Sequence, residues 1–187
     1  MLTVSALLPE TWERRLIDLN VRRLKTSDIE WADLVMATAM LVQKDSLKEV
    51  VKRCKALGKR VVLGGPYVTT TIEDLPEADH IFLGEAETTL PQFVEDLARG
   101  EAKRTYKAEE RPPLSATPLA HFHLAELKRY SAMSVQYSRG CPFSCEFCLS
   151  SLDIPVRQAP LPALLDHLQR LLDRGVRQFK FVDRTFN

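Results

Sequence analysis

Three short apolar runs, two of them feeding directly into glycine, set the limits on what this chain can fold into. They are Leu34 to Thr38 (LVMAT), Arg60 to Leu63 (RVVL) and His80 to Leu83 (HIFL). Runs of this length are too short for buried helices and read as strands covered on both faces of a sheet. Arg15 to Leu19 (RLIDL) reads as a further short strand, and Ser27 as the cap of a helical turn carrying Ile29 and Trp31. Met1 to Leu8 reads as the end of a helix stopped by Pro9. Ser46 to Leu57 has apolar residues at Leu47, Val50, Val51, Cys54 and Leu57, a helical period that Gly58 ends. Cys54 lies on that apolar face and reads as core packing. Thr88 to Leu97 supplies another helix. The order β-α-β-β-α predicts an α/β fold, an open and mostly parallel Rossmann-like sheet flanked by helices.

Ligands of such sheets bind beyond the carboxyl ends of the strands. Those ends are Asn20, Thr38 to Met40, Gly64 to Pro66, and Gly84 to Glu85. Two of them carry glycine, which lets a ligand approach the backbone. A G-x-G-x-x-G turn is absent, which counts against a plain nucleotide-binding sheet.

Beyond residue 100 the character changes. A charged run leads into RPPLSATPLA, an extended, surface-lying linker. Met133 to Tyr137 then reads as a strand, Leu161 to Leu172 as a helix closed by Gly175, and Gln178 to Val182 as the next strand. Between that first strand and the helix lies YSRGCPFSCEFCLS, which places Cys141, Cys145 and Cys148 within one short loop. Such a loop can turn all three sulfurs toward one centre, and thiolates at this spacing bind soft metal ions or iron–sulfur clusters. Three donors leave a metal position open, as a catalytic metal requires. Gly140 and Pro142 shape the loop entry. The alternative is a zinc site completed by His121, His123 or a distant residue, although zinc sites usually arrive as two C-x2-C pairs. His121 and His123 otherwise read as connector residues, and His167 as a surface residue of its helix.

The C-x3-C-x2-C spacing, with Phe147 before the last cysteine, resembles the radical S-adenosylmethionine (radical SAM) enzymes. The resemblance makes Cys141, Cys145 and Cys148 ligands to three irons of a [4Fe–4S] cluster and puts Phe147 beside the adenine of S-adenosyl-L-methionine. The family also contacts the cofactor's amino group at the end of the second barrel strand, here Asp183. Read with GGP at Gly64 to Pro66 and GEAE at Gly84 to Glu87, the N-terminal part is similar to the cobalamin-binding domain preceding many radical SAM domains. By that match Thr38, Ala39 and Met40 lie on one side of cobalamin, with Gly64, Gly65, Gly84 and Glu85 on the other.

The implied organisation is a cobalamin-binding-type domain over 1–100, a Pro-rich linker over 101–131, and the opening of a TIM-like radical SAM barrel over 132–187. The implied activity is cleavage of S-adenosylmethionine to a 5′-deoxyadenosyl radical, with cobalamin-dependent methyl transfer to an unactivated carbon. A small-molecule substrate and a reductant protein such as flavodoxin or ferredoxin are implied as partners. The competing function is a non-catalytic Rossmann-like module with a zinc-binding cysteine knuckle. A methylthiotransferase would carry three further N-terminal cysteines, and only Cys54 is there. A D-x-H-x-x-G loop for a lower cobalt ligand is missing, since no histidine precedes His80. The expected first strand and most of a barrel are missing as well, so the chain is expected to be a fragment.

With 187 residues, the chain has room for one sizeable domain or two small ones, and its 45% hydrophobic content suffices for a core. The net charge of +1 argues against a large nucleic-acid or membrane footprint. No apolar run approaches transmembrane length, no signal pattern opens the chain, and the cysteines form no even disulfide framework. Cytoplasmic location is therefore expected.

Overall fold

The computed structural model describes residues 1–146, 148 and 155–184. The chain divides into two compact units, one of Met1, Leu7–Glu13 and Ile17–Arg111, the other of Leu2–Ala6, Arg14–Leu16 and Pro112–Asn187. The expected N-terminal helix is α1 (Leu2–Ala6), which belongs to the second unit.

The first unit contains α2 (Thr26–Trp31), β1 (Leu34–Thr38), α3 (Lys44–Ala56), β2 (Arg60–Gly64), α4 (Pro66–Thr70), β3 (His80–Leu83), α5 (Ala86–Arg99) and β4 (Thr105–Lys107). The four strands form one sheet in the order β1-β2-β3-β4, and every pairing is parallel. In β1 and β2 the register runs from Leu34 opposite Arg60 to Thr38 opposite Gly64. This is the Rossmann-like α/β sheet that the apolar runs predict.

Side-chain alternation gives each face of the sheet its own core. On one face Val61, Leu63 and Ile81 join Ile29, Leu47, Val51, Cys54, Tyr67 and Val68. Cys54 is fully buried there as core packing, and burial pushes its thiol pKa up. On the other face Phe93 of α5 meets His80, Phe82 and Tyr106 edge-on, with ring centroids 5.0, 5.3 and 5.5 Å away. Burying a side chain such as Phe93 contributes roughly 1.5–3 kcal/mol, so this aromatic group holds α5 to the sheet. Asp96 completes the attachment. It accepts the Tyr106 hydroxyl at 2.9 Å and an Arg99 guanidinium N–H at 2.6 Å.

Several local expectations are corrected. Arg15 to Leu19 is not a strand, because no ladder takes up its backbone groups. Instead Asp18 opens a turn in which its carbonyl accepts the N–H groups of Val21 and Arg22, each at 2.9 Å. Ser27 is not the cap of α2 but lies within it. The N-cap is Lys25, whose N–H donates to Asp28 at 2.9 Å. The stretch read as wholly extended linker contains β4, where Tyr106 is its one buried side chain. A short helix, α4, intervenes between β2 and β3, started by Pro66 at its first position.

The second unit contains α1, β5 (Met133–Val135), β6 (Ser138–Arg139), β7 (Arg157–Gln158), α6 (Leu161–Asp173) and β8 (Phe179–Phe181). β5 and β8 pair in parallel across the α6 crossover, and β6 pairs antiparallel with β7. Its core joins Phe122, Met133, Val135, Leu171 and Val176. The apolar face expected of α6 is only partly covered. Leu164 and Leu171 are buried, whereas Leu161, Leu165 and Leu172 are exposed. His167 is half-buried rather than a surface residue. Its Nε2 accepts the Ala120 N–H at 3.2 Å and its ring meets Phe122 edge-on.

Candidate functional site

Because β1, β2 and β3 are parallel, their carboxyl ends lie along one edge of the first unit. That edge brings together Thr38, Ala39 and Met40, then Gly64 and Gly65, then Gly84 and Glu85, as the sequence predicts for strand-end loops. Gly65 has φ +95, and a Cβ there would stand 2.0 Å from Thr38 Oγ1. Both facts demand glycine, so the chain passes Thr38 at a distance no side chain permits.

Helix α4 ties the three loops to one another. Its Tyr67 N–H donates to Ala39 O at 3.2 Å, and its Thr69 hydroxyl oxygen accepts the Gly84 N–H at 3.2 Å. Tyr67 is itself fully buried and donates its hydroxyl to Asp74 O at 2.8 Å. Sequence reasoning missed Tyr67 and Thr69. The available signal was Pro66 after two glycines, a helix start read only as a turn. Beside this edge, Met40 is 48%, Leu41 58%, Val42 94% and Ile72 56% exposed, an apolar lip around a glycine-lined backbone.

In the second unit, β5 runs through Tyr137 into β6, and β6 and β7 form the stem of the cysteine loop. Ser138 stands opposite Gln158, Arg139 opposite Arg157, and the Ala159 N–H donates to Tyr137 O at 2.8 Å. Gly140 turns the chain out of β6 with φ +99. Cys141 follows and is buried, Cys145 is exposed and Cys148 half-buried, all as free thiols. The Cys148 N–H donates to Cys145 O at 3.0 Å, which puts these two cysteines on one turn. Phe147 lies outside the described residues.

The donor chemistry fits an iron–sulfur cluster: three soft ligands, none consumed in a disulfide. Among the described residues no three His, Cys, Asp or Glu side chains are grouped to hold a metal ion. The same holds for the zinc alternative. His121 Nδ1 instead lies 3.0 Å from Ser5 Oγ and 3.2 Å from an Arg14 guanidinium nitrogen, and its ring stands 4.9 Å from that of His123.

Asp183 follows β8 and turns its carboxylate to the loop stem. It accepts the Tyr137 N–H at 3.2 and 3.1 Å, the Ser138 N–H, and the Ser138 hydroxyl at 2.6 Å.

The parallel four-stranded sheet with helices packed on it is a Rossmann-like α/β fold. The B12-binding domain family matches residues 1–94, and the chain belongs to that family. Its relatives are methyltransferases by name. An uncharacterized methyltransferase of Synechocystis is 42% identical over 100% of this chain and 36% of its own length. The hopanoid C-2 methylase of Rhodopseudomonas palustris is 31% identical over 100% of this chain and 37% of its own. The bacteriochlorophyllide d C-8(2)-methyltransferase of Chlorobaculum tepidum is 29% identical over 63% of this chain and 28% of its own. The chain thus spans little more than a third of the relatives matching it throughout. Among the described residues no helix is long and apolar enough to cross a membrane.

Proposed function

We propose that this chain is part of a cobalamin-dependent radical SAM methyltransferase that methylates an unactivated carbon of a small molecule. The observation that carries the reading is the co-occurrence, in one chain, of a B12-binding domain and the C-x3-C-x2-C loop. Relatives named methyltransferases that align across both parts support it. In this reading the sheet unit, with β4 as its edge strand, forms the cobalamin domain, the residues after Arg111 up to 131 the connector, and 132–187 the opening of a radical SAM barrel.

When bound, the cluster would supply an electron for breaking the S–C5′ bond of S-adenosylmethionine, and cobalamin a carrier for the methyl group. The chain's own part is holding and orientation. Thr38, Ala39, Met40, Gly64, Gly65, Gly84 and Glu85 would line the cobalamin tail and corrin edge. The exposed Met40, Leu41, Val42 and Ile72 suit a broad apolar macrocycle. Cys141, Cys145 and Cys148 would bind the iron, with Phe147 against the adenine. Buried His80 is engaged within the sheet domain, its Nδ1 2.6 Å from Lys103 O. A flavodoxin- or ferredoxin-type reductant in the cytoplasm completes the proposal.

The test is anaerobic reconstitution of the full-length protein with iron, sulfide and cobalamin. About four irons per chain together with a cobalamin absorption band that co-elutes with the protein is the expected result. One zinc and no retained iron would favour the knuckle reading instead. Retained iron without cobalamin would remove the methyl-carrier half alone.

A further inference from the structure

The entry leg of the cysteine loop leaves the β5 ladder at Val135, where the Val182 N–H donates to Val135 O at 3.0 Å. The next backbone donors, on Tyr137 and Ser138, have passed beyond the parallel pairing. Buried backbone N–H groups need acceptors, and Ser138 is only 3% exposed. The acceptor supplied is the Asp183 carboxylate, which takes both N–H groups and the Ser138 hydroxyl. Oδ1 receives all three of these donors, and Oδ2 shares the Tyr137 N–H. Hydrogen bonds to an ionised acceptor are roughly twice as strong as neutral ones. Cys141 follows Ser138 by three positions, across Gly140.

We propose that Asp183 is a positioning residue: it fixes the stem of the cysteine loop, and thereby Cys141, for cluster loading. The inference rests on the cluster reading above. It gives the strand-end carboxylate a role within the protein. The stem is set by the fold, while the outer cysteines are gathered by the metal. Outer-shell partners of metal ligands typically govern metal retention by 10–100-fold.

The experiment uses the full-length protein reconstituted anaerobically, comparing wild type with Asp183→Asn and Ser138→Ala. Three quantities are read: iron release to a chelator, the electron paramagnetic resonance spectrum of the reduced cluster, and the dissociation constant for S-adenosylmethionine per loaded cluster. Asp183→Asn is expected to release iron roughly tenfold to a hundredfold faster, with an altered reduced-cluster signal. Ser138→Ala, which removes one donor and keeps both N–H bonds, is expected to lie between it and wild type. The dissociation constant per loaded cluster is expected to stay within about twofold of wild type in both. Unchanged iron release with a much weakened affinity in Asp183→Asn would overturn the proposal and return Asp183 to the cofactor. Should Asp183→Asn fail to fold, Ser138→Ala decides alone, and wild-type iron release there would overturn the proposal. Failure of the wild type to load iron would instead sink the cluster reading on which this one stands.

Discussion

The strand-end edge of the first unit and the cysteine loop of the second are both read as cofactor sites, but they are held in opposite ways. At the sheet edge everything is backbone and fixed contact: Gly65 against Thr38, Tyr67 on Ala39, Thr69 on Gly84. On the proposed reading, such a site would exist before its ligand arrives. In the cysteine loop the stem is held by the β6–β7 pair and the Asp183 carboxylate, and among the described residues no three His, Cys, Asp or Glu side chains are grouped to hold a metal ion. On the proposed cluster reading, metal binding there would add to local folding energy. The lesson is that a glycine-lined edge is recognisable from the fold, whereas a three-thiolate loop is recognisable from its sequence.

The comparison is broken most forcefully at Cys145. Cys145→Ala should abolish iron retention, from about four irons per chain to none, and leave cobalamin retention as in wild type. Parallel loss of both would mean that the two sites are not independent. The converse change is Gly65→Ala. With φ +95 and a clash at 2.0 Å, it should cost on the order of 1–3 kcal/mol by urea unfolding and abolish cobalamin retention, with iron loading intact. Adding Thr38→Ala should recover only part of the loss, since the backbone strain remains.

A smaller effect is expected at Tyr106→Phe, which removes the donor to buried Asp96. A cost of about 1–2 kcal/mol to the first unit and none to iron loading would confirm that β4 is structural. The smallest is a difference in pH response between the units. The Tyr106 hydroxyl, with Arg99 and Lys103 behind it, holds the Asp96 carboxyl below the ordinary range. Its contribution is therefore present above about pH 4 and is lost as pH falls through the lower folded value. Burial pushes the His167 imidazole below its ordinary value, against the weaker pull of Asp166. Its neutral form is favoured folded, so the second unit should begin to lose stability as pH falls through about 6.5. The protection factor of α6 amides, corrected for the intrinsic exchange rate, should fall between pH 7.5 and 5.5 while that of α5 is kept. An equal fall in both helices would remove this distinction.

The parts of the fold legible in sequence were those whose residues carry the pattern themselves. RVVL and HIFL are apolar at successive positions because both faces of the sheet are covered, and α3 shows its period at Leu47, Val51 and Cys54. β4 was not legible, because one inward side chain, Tyr106, carries no pattern and the strand exists by pairing with β3. RLIDL had the pattern but no partner, so it became coil and turn. At the candidate sites, glycine types and cysteine spacing were readable. The α4 ties through Tyr67 and Thr69, and the attachment of Asp183 to Ser138, were not, since they depend on contacts made across 15 residues or more.

Amide hydrogen exchange on the full-length protein, before and after anaerobic cluster loading, tests the contrast between the two sites most directly. The account predicts that residues 137–139 and 38–40 are protected in both states, whereas the amides of Cys145 and Cys148 gain further protection on loading. No gain at Cys145 and Cys148 on loading, or a stem that becomes protected only with iron, would contradict the account.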